Sequence, residues 1–226
     1  MEGEAAHHLG RVLRAQAGQL YELSDGHRVW LARIENAGRD RVDFALVEEL
    51  PAHQPALDLT LLLSVVKFDA FEWALEKATE LGVTGIVPLA AARSEKGLLA
   101  AAAKRSERWQ KILLESSQQS RRVRLPILSE LSTPEKAFAD QQSPGARCVM
   151  LSERPDAPPL RAVLSAPGPA TRATLAIGPE GGWTESELSA ALSAKFAEAS
   201  LGKLILRTET AVIAALAAIN YALGAD

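Results

Sequence analysis

The chain has 226 residues, 47% hydrophobic and 23% charged, enough for one large domain or for a small and a medium one. Lys and Arg number 25 against 28 Asp and Glu, a formal net charge of −3, so any polyanionic partner must be met by a local cluster of cations rather than by the chain as a whole. No apolar run approaches the roughly 18 residues of a membrane-spanning helix, and Met1-Glu2-Gly3-Glu4 is acidic with no apolar stretch behind it, so neither a span nor a secretory leader is expected.

The N-terminal part, residues 8–50, reads as β. Segments 20–23 and 29–34 flank Ser24-Asp25-Gly26-His27, whose Asp-Gly pair is a hairpin signal, and 42–47 alternates loosely enough to be a third strand. Pro51-Ala52-His53-Gln54-Pro55 reads as a linker because its two prolines stop both helix and central strand. The expected division is residues 1–54, a small β module, and residues 55–226.

From Leu57 the pattern changes to alternating strands and helices. Residues 59–66 form a buried strand candidate, and Asp69-Ala70-Phe71-Glu72 has the spacing of a capping box, with Phe68 and Trp73 as its staple, opening a helix that ends at Gly82. Further strands are expected at 86–89, 125–128, 149–152, 175–178 and 204–206, with helices over 104–118 and 133–141. This alternation implies an α/β domain with a mostly parallel sheet covered on both faces. Neither G-x-G-x-x-G nor G-x-x-x-x-G-K-[ST] occurs, which excludes the ordinary dinucleotide fingerprint and the P-loop. Cys148, the single cysteine, lies in the apolar run Cys148-Val149-Met150-Leu151 and reads as a buried inert thiol in a reduced, cytoplasmic setting.

Charge is unevenly distributed. Between Arg93 and Arg124 nine basic residues face three acidic ones. Part of this is the solvated face of a helix, but Arg121, Arg122 and Arg124 follow that helix, and bunched arginines suit phosphate contacts. Trp109 begins an apolar stripe with Ile112 and Leu113 and reads as core.

Two glycine-bearing segments near the C-terminus concentrate the chemistry: Ile177-Gly178-Pro179-Glu180-Gly181-Gly182-Trp183 and Leu201-Gly202-Lys203-Leu204-Ile205-Leu206-Arg207-Thr208-Glu209-Thr210-Ala211. The first follows a β-prone run and precedes Thr184-Glu185-Ser186-Glu187, a capping box with Trp183 and Leu188 as staple. The second ends on Thr208, read as the N-cap of a helix over 209–223 with Gly224 as its stop. Glycines allow backbone N–H and C=O groups to approach a ligand, although a glycine-rich loop is also the ordinary way to join a strand to a helix. The helix over 209–223 is apolar nearly all round, which requires burial inside the domain or at a subunit interface.

Taken together, these segments resemble the C-terminal motifs of the SPOUT superfamily of S-adenosylmethionine-dependent RNA methyltransferases. Within it they are similar to the bacterial family that methylates N3 of a uridine in 16S ribosomal RNA. Matching pieces run along the chain in order: His7-His8-Leu9 with Arg11-Val12-Leu13-Arg14, Lys77-Ala78-Thr79-Glu80-Leu81-Gly82-Val83, Arg108-Trp109-Gln110-Lys111-Ile112, and Gln119-Ser120 followed by Arg122 and Pro126. Two departures are visible. The family carries a further basic and aromatic stretch ahead of the His-Leu element where this chain starts at Met1-Glu2-Gly3, and Arg121 stands at a position that is often glycine.

The resemblance implies a PUA-like β-barrel over 1–54, a SPOUT domain with a C-terminal trefoil knot over 55–226, a homodimer using the last helix in part, and no metal. It implies S-adenosylmethionine as cofactor, held by Leu151 and Ser152, by Ile177, Gly178, Pro179, Glu180, Gly181 and Gly182, and by Leu201, Gly202, Leu204, Leu206, Arg207, Thr208 and Ala211. It implies 16S RNA of the small ribosomal subunit as partner, contacted by His8, Arg11, Arg14, Arg93, Arg121, Arg122 and Arg124. Methylating uracil N3 requires loss of a proton, so Arg207 is placed to stabilise charge on a uracil oxygen, while Glu209 either accepts the proton or complements the helix N-terminus. Two rivals stay open: a related enzyme acting on another RNA, such as a ribose 2′-oxygen of tRNA, and a non-catalytic RNA-binding or ribosome-assembly protein.

Overall fold

A computed structural model describes residues 1–38, 40–52, 55, 57–166 and 170–224; His53 and Gln54, in the middle of the expected linker, lie outside the described residues. The chain separates into two compact units, one formed by residues 1–54 with 122–124, the other by 55–121 with 125–226.

The first unit opens with a short helix, α1 (Glu4–His7), which widens into a π-helical turn over His8–Val12. Residues 8–12 are therefore helical, not β. Ala6 and Leu9 lie on the inner face of this segment and join Ala15, Ile34 and Val42 in a small core, and that burial outweighs the weak β signal of the stretch. Strands β1 (Leu20–Ser24), β2 (Val29–Ala37) and β3 (Val42–Leu50) follow as an antiparallel meander in that order. Asp25 shapes the first turn: its Oδ1 accepts from Arg28 N at 2.7 Å and His27 N at 2.8 Å, while Gly26 supplies a φ of 88°. Beside β3, Glu2 bridges Arg41, and the Met1 ammonium donates to Val42 O at 2.9 Å. Val123 O accepts from Ser24 Oγ at 3.3 Å, which ties 122–124 into this unit.

The second unit alternates as expected. Its elements are β4 (Asp58–Ser64), α2 (Phe68–Glu80), β5 (Gly85–Leu89), α3 (Lys96–Ala102), α4 (Ser106–Gln119), β6 (Ile127–Leu128), α5 (Pro134–Asp140), β7 (Arg147–Leu151), α6 (Leu160–Leu164), β8 (Arg172–Ile177), α7 (Glu185–Ser193), β9 (Ala197–Ala199) and α8 (Thr208–Leu223). The six strands form one sheet in the order β6-β5-β4-β8-β7-β9, and every pairing is parallel. One face packs Leu59, Leu61 and Leu63 against α2, α4 and α8 around Phe71, Trp109, Val212 and Leu216; the other packs Leu62 and Met150 around Phe138, Trp183 and Phe196. Trp109 is core, with its ring 4.6 Å from that of Phe71.

Three sequence expectations are corrected here. Residues 204–206 are not a strand. The sixth strand is β9, whose Ala197–Ala199 pairs with β7, whereas Leu204 and Ile205 have no ladder partner and are 82% and 79% exposed. Glu72 closes no capping box, since the N-cap of α2 is Lys67 without a side-chain bond; instead its buried carboxylate accepts from Arg108 Nε at 2.7 Å and Arg105 Nη1 at 3.2 Å. Thr208 is the first helical residue of α8 and is buried, while Arg207, with φ −64° and ψ 151°, is the N-cap. By contrast, Thr184 and Glu187 form both bonds of a capping box at the start of α7.

Candidate active site

β7, β8 and β9 run parallel, so their C-terminal ends emerge on one side, where open α/β sheets hold their ligands. Three loops leave those ends: 152–155 after β7, 178–183 after β8 and 200–207 after β9. Together with the first turn of α8 they enclose a cavity of about 710 Å³.

The loops are fastened to one another. Trp183 Nε1 donates to Leu151 O at 2.8 Å, joining the β8 loop to the end of β7, and the Trp183 ring lies against Gly178 so closely that a Cβ there would sit 3.0 Å from it. Gly182 N donates to Pro179 O at 2.8 Å, closing a tight turn, and Gly182 leaves it with a φ of 69° that glycine adopts without strain. In the β9 loop, Ser200 Oγ accepts from Gly202 N at 3.1 Å and donates to Gly202 O at 3.0 Å, around a φ of 135° at Gly202. Apolar walls come from Ile177, Leu201, Leu206 and Ala211, with Arg154, Lys203, Arg207, Glu153, Glu180 and Glu185 supplying charge of both signs.

The structure brings the expected cofactor residues together on this wall: Leu151 and Ser152; Ile177, Gly178, Pro179, Glu180, Gly181 and Gly182; and Leu201, Gly202, Leu204, Leu206, Arg207, Thr208 and Ala211. Glu209 is not among the lining residues. It is half-buried in the first turn of α8, where its charge complements the helix N-terminus.

The residues expected to touch RNA scatter. His8, Arg11 and Arg14 are exposed along the first helical segment and just after it. Arg93 lies on the cavity wall instead, its Nη1 donating to Gly181 O at 2.7 Å. Arg121 is exposed with φ 56°; Arg122 is half-buried, which pushes its guanidinium below the ordinary arginine value; and Arg124 donates from Nε to Gly26 O at 3.2 Å, with Nη2 3.3 Å from His27 Nδ1. Arg105 and Arg108 of the same basic run converge on Glu72, and Arg105 also covers the Phe68 ring at 4.5 Å. Missed by the sequence were Trp183 as a wall residue, Arg154 and Lys203. The last two lie within two residues of expected positions, so the run of residues after each strand was the available signal.

Residues 53–220 match the RNA methyltransferase domain family, and residues 2–47 match the RNA methyltransferase PUA domain. The ribosomal RNA small subunit methyltransferase E of Synechocystis sp. is 35% identical over 216 residues, covering 95% of this chain and 70% of that protein. The protein of the same name from Bacillus subtilis is 30% identical over 97% of this chain and 88% of its own length. The chain belongs to the ribosomal RNA small subunit methyltransferase E family. A solved family member from Neisseria gonorrhoeae, bound to S-adenosyl methionine, superposes with a TM-score of 0.89 at 32% identity, covering 99% of this chain and 91% of that one. A putative methyltransferase from Legionella pneumophila, in complex with the same cofactor, gives 0.86 at 28% identity over 99% and 91%. Family membership thus agrees with a parallel-sheet methyltransferase domain joined to a PUA-like one.

Proposed function

We propose that this chain transfers a methyl group from S-adenosylmethionine to N3 of a uridine in 16S ribosomal RNA of the small subunit. One observation carries the reading: the loop after β7 and the glycine-bearing loops after β8 and β9 close on a single cavity, in a family with a solved member bound to that cofactor. The cavity fits the cofactor. Its volume of about 710 Å³ lies within the roughly 300–1,000 Å³ of small-molecule sites, which combine apolar walls with a few placed polar groups. Gly178, Gly181, Gly182 and Gly202 present backbone without Cβ, Leu151, Ile177, Leu201, Leu206 and Ala211 supply apolar surface, and carboxylates stand on the wall for a cationic ligand. When bound, S-adenosylmethionine supplies an electrophilic methyl on a sulfonium.

The protein's own part is to orient the base and favour its anionic form. Arg207 reaches the wall from the N-cap of α8, and a guanidinium there stabilises charge developing on a uracil oxygen. Glu209, set back in the helix, supports that helix end. Exposed cations of the first unit, Arg11 and Arg14, hold the RNA backbone, as suits the match to a PUA domain of RNA methyltransferases.

The finer architecture follows the same reading. Residues 1–54 are the PUA-like module, its barrel continued by the Glu2–Arg41 bridge beside β3. Residues 55–226 are the methyltransferase domain, with the C-terminal knot assigned to 200–223, which leaves the edge strand β9 and ends in α8 packed against α2. The exposed Leu204 and Ile205 beside α8 supply apolar surface for a homodimer.

Nucleoside mass mapping of 16S RNA from cells lacking the protein tests the function. Loss of one base-methylated uridine is expected. Loss of a ribose-methylated tRNA nucleoside instead would reassign the target, and absence of cofactor binding by calorimetry would leave a non-catalytic RNA-binding protein.

A further inference from the structure

The segment between β5 and α3, residues 90–95, is anchored more firmly than a connector requires. Ala90 N donates to Ser132 O at 2.8 Å, and the buried Ser94 donates from Oγ to Val65 O at 2.8 Å, just past the end of β4. Between these anchors Ala92 N donates at 2.8 Å to Oε1 of Glu187, a carboxylate only 2% exposed and carried by α7. The other oxygen, Oε2, accepts from Thr184 N at 2.8 Å and from Thr184 Oγ1 at 2.9 Å. A capping box uses the carboxylate only toward its own helix start. Here the second oxygen serves a different part of the chain. The next residue, Arg93, donates to Gly181 O at 2.7 Å, and its stem lies so close that a Cβ on Gly181 would be 3.3 Å from Arg93 Cβ.

We propose that Glu187 is a positioning residue: through Ala92 it fixes Arg93, and through Arg93 the Gly181 carbonyl, holding the 178–182 loop in its ligand-ready shape before the cofactor arrives. This rests on the assignment of S-adenosylmethionine to the cavity. A carboxylate is the group that suits the task, because Ala92 N, Thr184 N and Thr184 Oγ1 are all donors. An amide at the same position offers one accepting oxygen and turns an NH₂ toward N–H or O–H groups on one side, and an aspartate is one methylene too short to span both. Preorganisation of this kind shows as ligand affinity, since a loop already in place loses less entropy on binding.

Calorimetric titration of the full chain with S-adenosylmethionine, alongside thermal unfolding, tests it. Glu187→Gln and Arg93→Met should each weaken binding about tenfold, the loss expected of one charge-assisted hydrogen bond. Arg93→Lys should recover part of the affinity, because an ammonium can still donate to the carbonyl. The double variant Glu187→Gln/Arg93→Met should bind no worse than the weaker single one, since both cut the same strut. Leu113→Ala, a core truncation on α4, should lower the unfolding temperature and leave the affinity at the wild-type value. Wild-type affinity in both single variants, or losses that simply add in the double, would overturn the proposal. Should Glu187→Gln fail to fold, the comparison of Arg93→Met with Arg93→Lys decides, equal losses in the two counting against the strut. A wild-type protein that binds no S-adenosylmethionine would instead remove the cofactor assignment, and the strut with it.

Discussion

At the scale of single residues, Arg207 shows how backbone conformation sets chemistry. Its extended dihedrals make it the N-cap of α8, so the residue leaves the helix axis and meets the cavity wall, while Thr208 turns inward and is buried. The sequence read the cap one residue late, because Thr is a favoured N-cap type and Arg is not, and no side-chain bond at this end enforces that preference. If Arg207 acts on charge that develops only in the transition state, its removal costs rate and not ground-state binding. Arg207→Ala should lower single-turnover methylation by roughly a hundredfold or more, with cofactor and RNA affinity within a few-fold of wild type. Arg207→Lys should restore little if the contact is planar and bidentate; a matching loss of cofactor affinity would make Arg207 a prop of the pocket. Asp25 offers a second residue-level check. The backbone N–H of Arg28, then that of His27, holds its carboxyl below the ordinary value of 3.8. A depressed folded value means that its contribution to the β1–β2 turn is present above the unfolded value and fades as pH falls through the folded one. NMR titration of the Asp25 carboxyl should therefore give a midpoint below 3.8, and the amide shifts of His27 and Arg28 should follow the same curve.

At the scale of elements, legibility depended on whether a local signal had a tertiary competitor. The same spacing, an Asp or Thr with Glu three residues on, gave a true capping box at Thr184–Glu187 and a false one at Asp69–Glu72. In the second case two arginines of the neighbouring 105–108 stretch claim the glutamate, and no spacing rule can see them. Apolar content misled in a similar way at 204–206, where Leu-Ile-Leu reads as a strand but the short Ala197–Ala199 occupies the edge of the sheet. The inner strands of the parallel sheet, β5, β4, β8 and β7, largely buried on both faces, were read correctly in type, since parallel strands appear as continuous apolar runs. Within the β8 loop, Trp183 was legible as a staple but not as the wedge that joins two loops. Trp183→Phe keeps an aromatic ring but loses the donor to Leu151 O, leaving a buried carbonyl unpaired; it should cost at least about 1–3 kcal/mol of stability and weaken the cofactor, as measured by denaturant unfolding and calorimetry. Gly202→Val should abolish cofactor binding with the fold retained, because a β-branched residue resists a φ of 135° while no atom lies within 4 Å of its Cβ to unsettle the core. Normal binding by that variant would place the pocket elsewhere.

At the scale of the whole molecule, a chain of net charge −3 must bind a polyanion through local cations. The sequence pointed to the run from Arg93 to Arg124, but the structure engages much of that run internally: Arg93 with Gly181, Arg105 and Arg108 with Glu72, and Arg124 with the β1–β2 turn. A count of charges along a chain cannot distinguish a cation facing solvent from one holding a carbonyl in place. Arg11 and Arg14, exposed beside the small core of Leu9 and Ala15, do not bear on that packing and make the cleaner test. Each phosphate contact contributes about 0.7 to 0.9 to the slope of log affinity against log salt, depending on whether the RNA is single-stranded or paired. Arg11→Glu/Arg14→Glu should therefore weaken binding to a 16S RNA fragment at low salt and reduce that slope by about 1.4 to 1.8 if both residues meet phosphate. Affinity for S-adenosylmethionine should stay at the wild-type value, because the cavity is built wholly from residues 93–211. An unchanged slope in filter binding across low and moderate salt would return these arginines to the ordinary solvated surface and move the RNA contact to other cations, among which the exposed Arg121 is the next to replace.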